Sequence, residues 1–181
     1  MITAVDHLVL RVPDLDDAVA VYSRLGFELL SGTGGNGPKS DTAYADFGDF
    51  YLELVGPVAA GFESSEELTH GAGEIVVRTD NLDAEVGRVR SKGFTVSEPV
   101  VDALDSGGAL ARRSARVEAK TPIGLVQNQH STEERRAFLG SSPSHSNTAK
   151  TLERTYIAVE NMDEDLPAFS SVFDKTPPDP E

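Results

Sequence analysis

The chain has 181 residues, 39% of them apolar, with no cysteine or tryptophan and with 16 lysines and arginines against 30 aspartates and glutamates. That is core material for one full-sized domain, which at this length buries roughly 70% of its unfolded surface and needs no disulfide or structural metal. Without cysteine there is no thiol catalysis, zinc ribbon or iron–sulfur cluster, and a formal charge of -14 argues against nucleic acid or an anionic membrane as partner, because phosphate binding draws on clustered Lys and Arg. No apolar run approaches the roughly 20 residues of a membrane helix, and Met1 leads straight into a strand-like segment, so the expected location is soluble and cytoplasmic.

In chain order, Leu8, Leu10 and Val12 alternate with His7, Val9 and Arg11, the two-residue period of a strand with two different faces. After the turn at Pro13-Asp14, Asp14 is a good N-cap, and Leu15, Val19, Tyr22 and Leu25 form one helical stripe that Gly26 closes. Phe27 to Leu30, Thr42 to Phe47 and Phe50 to Val55 supply three more strands, with a Gly48-Asp49 turn between the last two. A linker, Gly56 to Gly71, leads to a strand over Glu74 to Thr79 and a helix over Leu82 to Lys92. Strands at Phe94 to Val96, Arg116 to Ala119 and Ile123 to Gln127 follow. The run Phe138 to Lys150 is a Ser-rich linker.

The two halves repeat. An offset of 67 residues carries His7-Leu8-Val9-Leu10-Arg11-Val12 onto Glu74-Ile75-Val76-Val77-Arg78-Thr79, and it also superposes Leu15 on Leu82, Val19 on Val86, Gly26 on Gly93 and Phe27 on Phe94. A fainter third copy begins at Thr155-Tyr156-Ile157-Ala158-Val159 and continues as a helical stretch reaching Phe169, and the chain reads as ending inside it. The expected fold class is α+β, tandem βαβββ modules forming a curled mixed-sheet cup. The modules span about 1–57 and 71–130, then a linker with a short helix over 131–150 and a truncated third βα unit over 151–181.

The pieces Asp6-His7-Leu8-Val9-Leu10-Arg11-Val12-Pro13-Asp14-Leu15, Leu25-Gly26-Phe27, Tyr51-Leu52-Glu53-Leu54-Val55 and Arg78-Thr79-Asp80-Asn81-Leu82, set in two βαβββ units, resemble the vicinal oxygen chelate superfamily. The glyoxalase-like branch is the nearest. The resemblance implies two modules whose sheets curl into a cup, with a divalent metal held by side chains from the first and last strand of each module. Strand parity, applied to that expectation, turns His7, Val9 and Arg11, then Tyr51 and Glu53, then Glu74, Val76 and Arg78 toward the cup. If Val126 packs toward the helices, Leu125 and Gln127 face it as well. The family's ligand positions then fall on His7, Glu53, Glu74 and Gln127, with Glu74 and Gln127 departing from the family's usual His and Glu. One imidazole, two carboxylates and an amide oxygen suit Mn, Fe(II), Ni, Zn or Mg.

Glu53 or Glu74 is the expected catalytic proton carrier, and Arg11, Tyr51 and Arg78 the substrate-binding set. The competing reading of Arg11 and Arg78 is internal pairing with Glu53 and Glu74. The run Gly32 to Ser40 is not a P-loop, because no helix follows it. His130 and His145 are expected on the solvent side. The resulting functional expectation is a metal-dependent enzyme of lyase, isomerase or dioxygenase type acting on a small oxygen-chelating substrate. Its rivals are a metal-free small-molecule trap and a non-catalytic assembly module, and a homodimer stays open as the assembly.

Overall fold

The computed structural model describes residues 1–31, 42–57, 71–103, 110–139, 145–149 and 162–173. The first module contributes β1 (Ile2–Arg11), α1 (Leu15–Arg24), β2 (Leu30–Ser31), β3 (Thr42–Asp46) and β4 (Tyr51–Val55). The second contributes β5 (Gly71–Thr79), α2 (Leu82–Ser91), β6 (Val100–Ala103), β7 (Ala111–Val117) and β8 (Ile123–Asn128), followed by α3 (Thr132–Leu139) and α4 (Met162–Phe173). The expected Gly-rich run after Ser31 and the strand at Thr155 to Val159 lie outside the described residues.

The eight strands among the described residues form one open mixed sheet in the order β2-β3-β4-β1-β5-β8-β7-β6. Within each module the first and last strands run parallel, β1 with β4 and β5 with β8. The modules meet where β1 and β5 pair antiparallel. The repeat seen in the sequence is thus a repeat of topology, and its outcome is a curled sheet with one concave face.

Both main helices begin and end as their residues dictate. Asp14 and Asn81 are extended N-caps whose side chains accept from the backbone N–H of Asp17 and Ala84. Gly26 and Gly93, the same position in each copy, follow the caps at φ +88° and +91°, where a side chain would be strained. The main core lies on the convex side of the second module, where Leu82, Val86 and Val89 of α2 meet Ile75, Val77, Val117, Ile123 and Leu125 of the sheet. α4 extends past the expected limit at Phe169 and adds Ala168 and Val172 to this same core. Arg88 of α2 donates to the carbonyls of Ser171 and Val172 at its C-terminal end, so α4 is docked on the second module by packing and by charge.

Strand β7 departs from the expectation of Arg116 to Ala119 by starting at Ala111. Its alternation is hard to read as a strand because the concave face is polar: Arg112, Ser114 and Arg116 alternate with Arg113, Ala115 and Val117. Arg113 reaches across the convex side to Asp83 of α2. His145 also departs from expectation. It is buried, its Nδ1 accepts from the Glu28 N–H at 3.0 Å, and Nε2 donates to the Asp46 carbonyl at 2.9 Å. Its ring stands against Phe27 and Phe47, and the two backbone partners satisfy both ring nitrogens. His130 is half-buried, with Nδ1 at 3.1 Å from the Ala111 carbonyl.

Leu125 is fully buried in the core while Val101 on the edge strand is 69% exposed. Leu125→Ala is therefore expected to cost about 2–5 kcal/mol in urea unfolding. Val101→Ala should stay within about 0.5 kcal/mol.

Candidate functional site

The concave face of the sheet holds a cavity of about 360 Å³ lined from both modules, by His7, Val9 and Glu53 on one side and by Glu74, Val76, Arg112, Ser114, Arg116, Gly124 and Val126 on the other. His7 reaches it through an irregularity. Val5 stands opposite Val77 and His7 opposite Val76, which leaves Asp6 as an extra residue in β1, a bulge of the kind that re-aims side chains. Both are nearly inaccessible, Asp6 at 1% and His7 at 2%.

The Asp6 carboxylate is fully engaged. Oδ2 lies 2.9 Å from His7 Nδ1, while Oδ1 accepts from Arg78 Nε at 2.8 Å and Asn128 Nδ2 at 2.9 Å. Burial acts to raise its pKa, but the hydrogen bond and charge of His7, and next the charge of Arg78, outweigh it and hold the group well below the usual carboxylate range. An ionised Asp6 keeps a proton on Nδ1 of the His7 ring. Nε2 faces Glu53 Oε2 across 3.7 Å. Tyr44 Oη donates to Glu53 Oε1 at 3.2 Å. Burial, and next the Glu53 charge, push the Tyr44 phenol up to about 12, so it remains a donor at neutral pH.

His7 is held from behind as well. Its ring stacks on Tyr51 with centroids 4.3 Å apart and planes at 13°. The Arg135 guanidinium covers Tyr51 at 4.8 Å from the ring centroid. Tyr51 Oη accepts from Arg112 Nη1 at 3.3 Å, and burial raises its pKa well above the ordinary phenol value. The structure therefore gathers His7, Glu53 and Glu74 at the cavity. Tyr51 serves as a buried platform beneath His7.

Three expected placements need correction. Gln127 faces the other way: its Oε1 accepts from the Leu82 N–H and its Nε2 donates to the Asp80 carbonyl, beside the start of α2. The register of β8 is shifted by one residue from the expected one, so Gly124 and Val126 face the cavity. Arg78 is turned to Asp6 and to the Asp49 carbonyl instead of the cavity. Arg11 lies against Gly73, to one side of the lining residues. The internal partners differ too, because Glu74 is bound by Nε and Nη2 of Arg116. Arg112 and Ser114 precede the expected strand, and Arg116, its first residue, was not among the expected site residues. Their signal was the every-second-residue spacing of the three.

The donors can be tested against the divalent ion that the resemblance implies. Among the described residues no group of three or more His, Cys, Asp or Glu side chains is gathered to hold an ion. His7 and Glu53 supply one half-site, but the Glu74 carboxylate is taken up by Arg116. The position that stands opposite Val76, as Glu53 stands opposite Val9, is Gly124. A protein-held divalent site ordinarily needs three or more ligands, so these residues do not fit one.

Residues 5–173 match the family described as glyoxalase-like domain. The chain belongs to the glyoxalase-like domain family. No curated protein matches it. Among solved structures, this glyoxalase-like chain is similar to Streptomyces coelicolor methylmalonyl-CoA epimerase in complex with 2-nitronate-propionyl-CoA, at 22% identity and TM-score 0.53, over 72% of this chain and 100% of that one. The Mycobacterium tuberculosis methylmalonyl-CoA epimerase is similar at 22% identity and TM-score 0.52, over 70% and 88%. A hypothetical protein from Bacillus halodurans is similar at 17% and 0.54, over 70% and 95%. These likenesses show a shared fold.

Asp6 gives the site a signature in pH. Its folded pKa lies below the unfolded value of 3.8, so its stabilisation is complete above that value and is lost as the pH falls toward the folded one. Asp6→Asn, which strands Arg78, is expected to cost about 3 kcal/mol near neutral pH. The gap from wild type should close as unfolding is measured below 3.8, and a gap constant with pH would contradict the assignment.

Proposed function

We propose that the cup is the active site of an acid–base enzyme that moves a proton on a small-molecule substrate without a resident metal ion. The supporting observation is the chain from Asp6 to His7 to Glu53: an ionised carboxylate fixes the His7 tautomer so that Nε2 faces Glu53 across 3.7 Å at the edge of an open cavity. Glu53 accepts a proton from the substrate, and the electron pair left behind settles on an adjoining carbonyl oxygen. Arg112 supplies positive charge on that side of the cavity. The proton returns from Glu53, or through His7, to complete an isomerisation that consumes nothing else. The solved relatives named as epimerases, one of them in complex with methylmalonyl-CoA, support this reaction type and an acyl substrate.

A metal-dependent lyase, isomerase or dioxygenase is the second reading. It is favoured by the carboxylate behind His7, a common arrangement for a ligating histidine. It requires Glu74 to leave Arg116 and finds no fourth donor at Gly124.

Deuterium incorporation from solvent, followed by NMR over a panel of small carboxylic acids and acyl thioesters, tests the proposal. Chelator-treated wild type is expected to exchange at least one compound, and Glu53→Gln to slow that exchange by about 10²–10⁴-fold. Binding without exchange would make the protein a trap. Exchange lost on chelation and restored by Mn, Ni or Zn would put the metal-dependent reading in its place.

A further inference from the structure

The ion pair between Glu74 and Arg116 is unusual in its path. Glu74 lies on β5 and Arg116 on β7, and β8 runs between them. The pair crosses β8 at Gly124, which is registered with Val76 on one side and with Arg116 on the other. A Cβ at this position would lie 2.7 Å from Glu74 Oε1. It would also meet Val76 Cγ2 at 2.9 Å, so glycine at this position gives the bridge its direct path.

The two ends are not equally sheltered. The Arg116 side chain is 53% exposed and the Glu74 side chain 15%. The guanidinium offers its Nε and Nη2 edge to a carboxylate, the planar two-pronged geometry that Arg recognises best. Val9, Val76 and Val126 supply apolar wall beside it. An outside carboxylate replacing the internal one leaves the charge on Arg116 matched.

Resting on the reading of the cup as a small-molecule site, we propose that its ligand carries a carboxylate that takes the place of Glu74 on Arg116. Glu74 is then an internal competitor, and Gly124 is the residue that permits the competition. The ligand class is a small carboxylic acid with a short apolar body.

Calorimetric titration with malonate, and separately with inorganic phosphate at matched ionic strength, provides the test. Malonate is expected to bind Glu74→Gln about fivefold tighter than wild type, since the internal carboxylate no longer competes. Gly124→Ala should tighten it in the same direction by displacing the Glu74 carboxylate, and Arg116→Gln should weaken it about tenfold or more. Unchanged or weaker malonate binding by Glu74→Gln, with its melting curve intact, would overturn the proposal, as would heat from phosphate alone. Solvent exchange that still depends on Glu53 while malonate ignores Arg116 would remove the carboxylate site and keep the acid–base reading. Arg116-dependent binding without any exchange would do the reverse.

Discussion

A carboxylate removed from water as completely as that of Asp6 must be surrounded by donors, or it would take up a proton. Three strands supply them: His7 from β1 itself, Arg78 from β5 and Asn128 from β8. β1 and β5 are also the strands through which the two modules meet. The same network that compensates the buried charge therefore ties the halves of the sheet together at the base of the cup. It also fixes which nitrogen of His7 looks into the cavity. Removing Arg78 would leave the buried charge with only His7 and Asn128 as donors, and breaking a buried pair typically costs about 3–5 kcal/mol.

The two modules share a topology but have divided their chemistry. The first keeps a histidine and a carboxylate on the cavity, steadied by Tyr44 and Tyr51. The second places a carboxylate at the position of His7 and a glycine at that of Glu53, and it fills the space with a guanidinium from β7. Cationic charge on that side is thereby a fixed part of the polypeptide. A symmetric backbone carries an asymmetric site, and this is why family membership settles the fold and leaves the reaction to be argued from residues.

Much of the architecture was legible because duplicated apolar periods and paired glycines encode it directly. Gly26 and Gly93 mark the two helix ends, and the alternation in β1 and β5 correctly turns His7 and Glu74 inward. Two physical features were not legible. The bulge at Asp6 adds a residue without any change of composition, so Asp6 reads as an ordinary strand residue before a histidine. In β8 every residue from Ile123 to Val126 is buried, so apolar alternation does not choose a face. The one-residue slip that resulted put Leu125 and Gln127 on the cavity in place of Gly124 and Val126. β7 hid its cavity face behind Arg112-Arg113, where adjacent charges serve opposite sides of the sheet. His145 was misplaced because its partners are backbone groups at Glu28 and Asp46, more than 90 residues away.

The tautomer of His7 is the most direct readout of the central interaction. Nitrogen-detected NMR of selectively labelled protein, at a pH where the ring is neutral, should find the proton on Nδ1, slow to exchange, with Nε2 bare. Arg78→Gln should loosen this preference without changing the ring's surroundings elsewhere. A proton found on Nε2, or averaged between both nitrogens in the wild type, would contradict the placement of Asp6 as the group that sets the site.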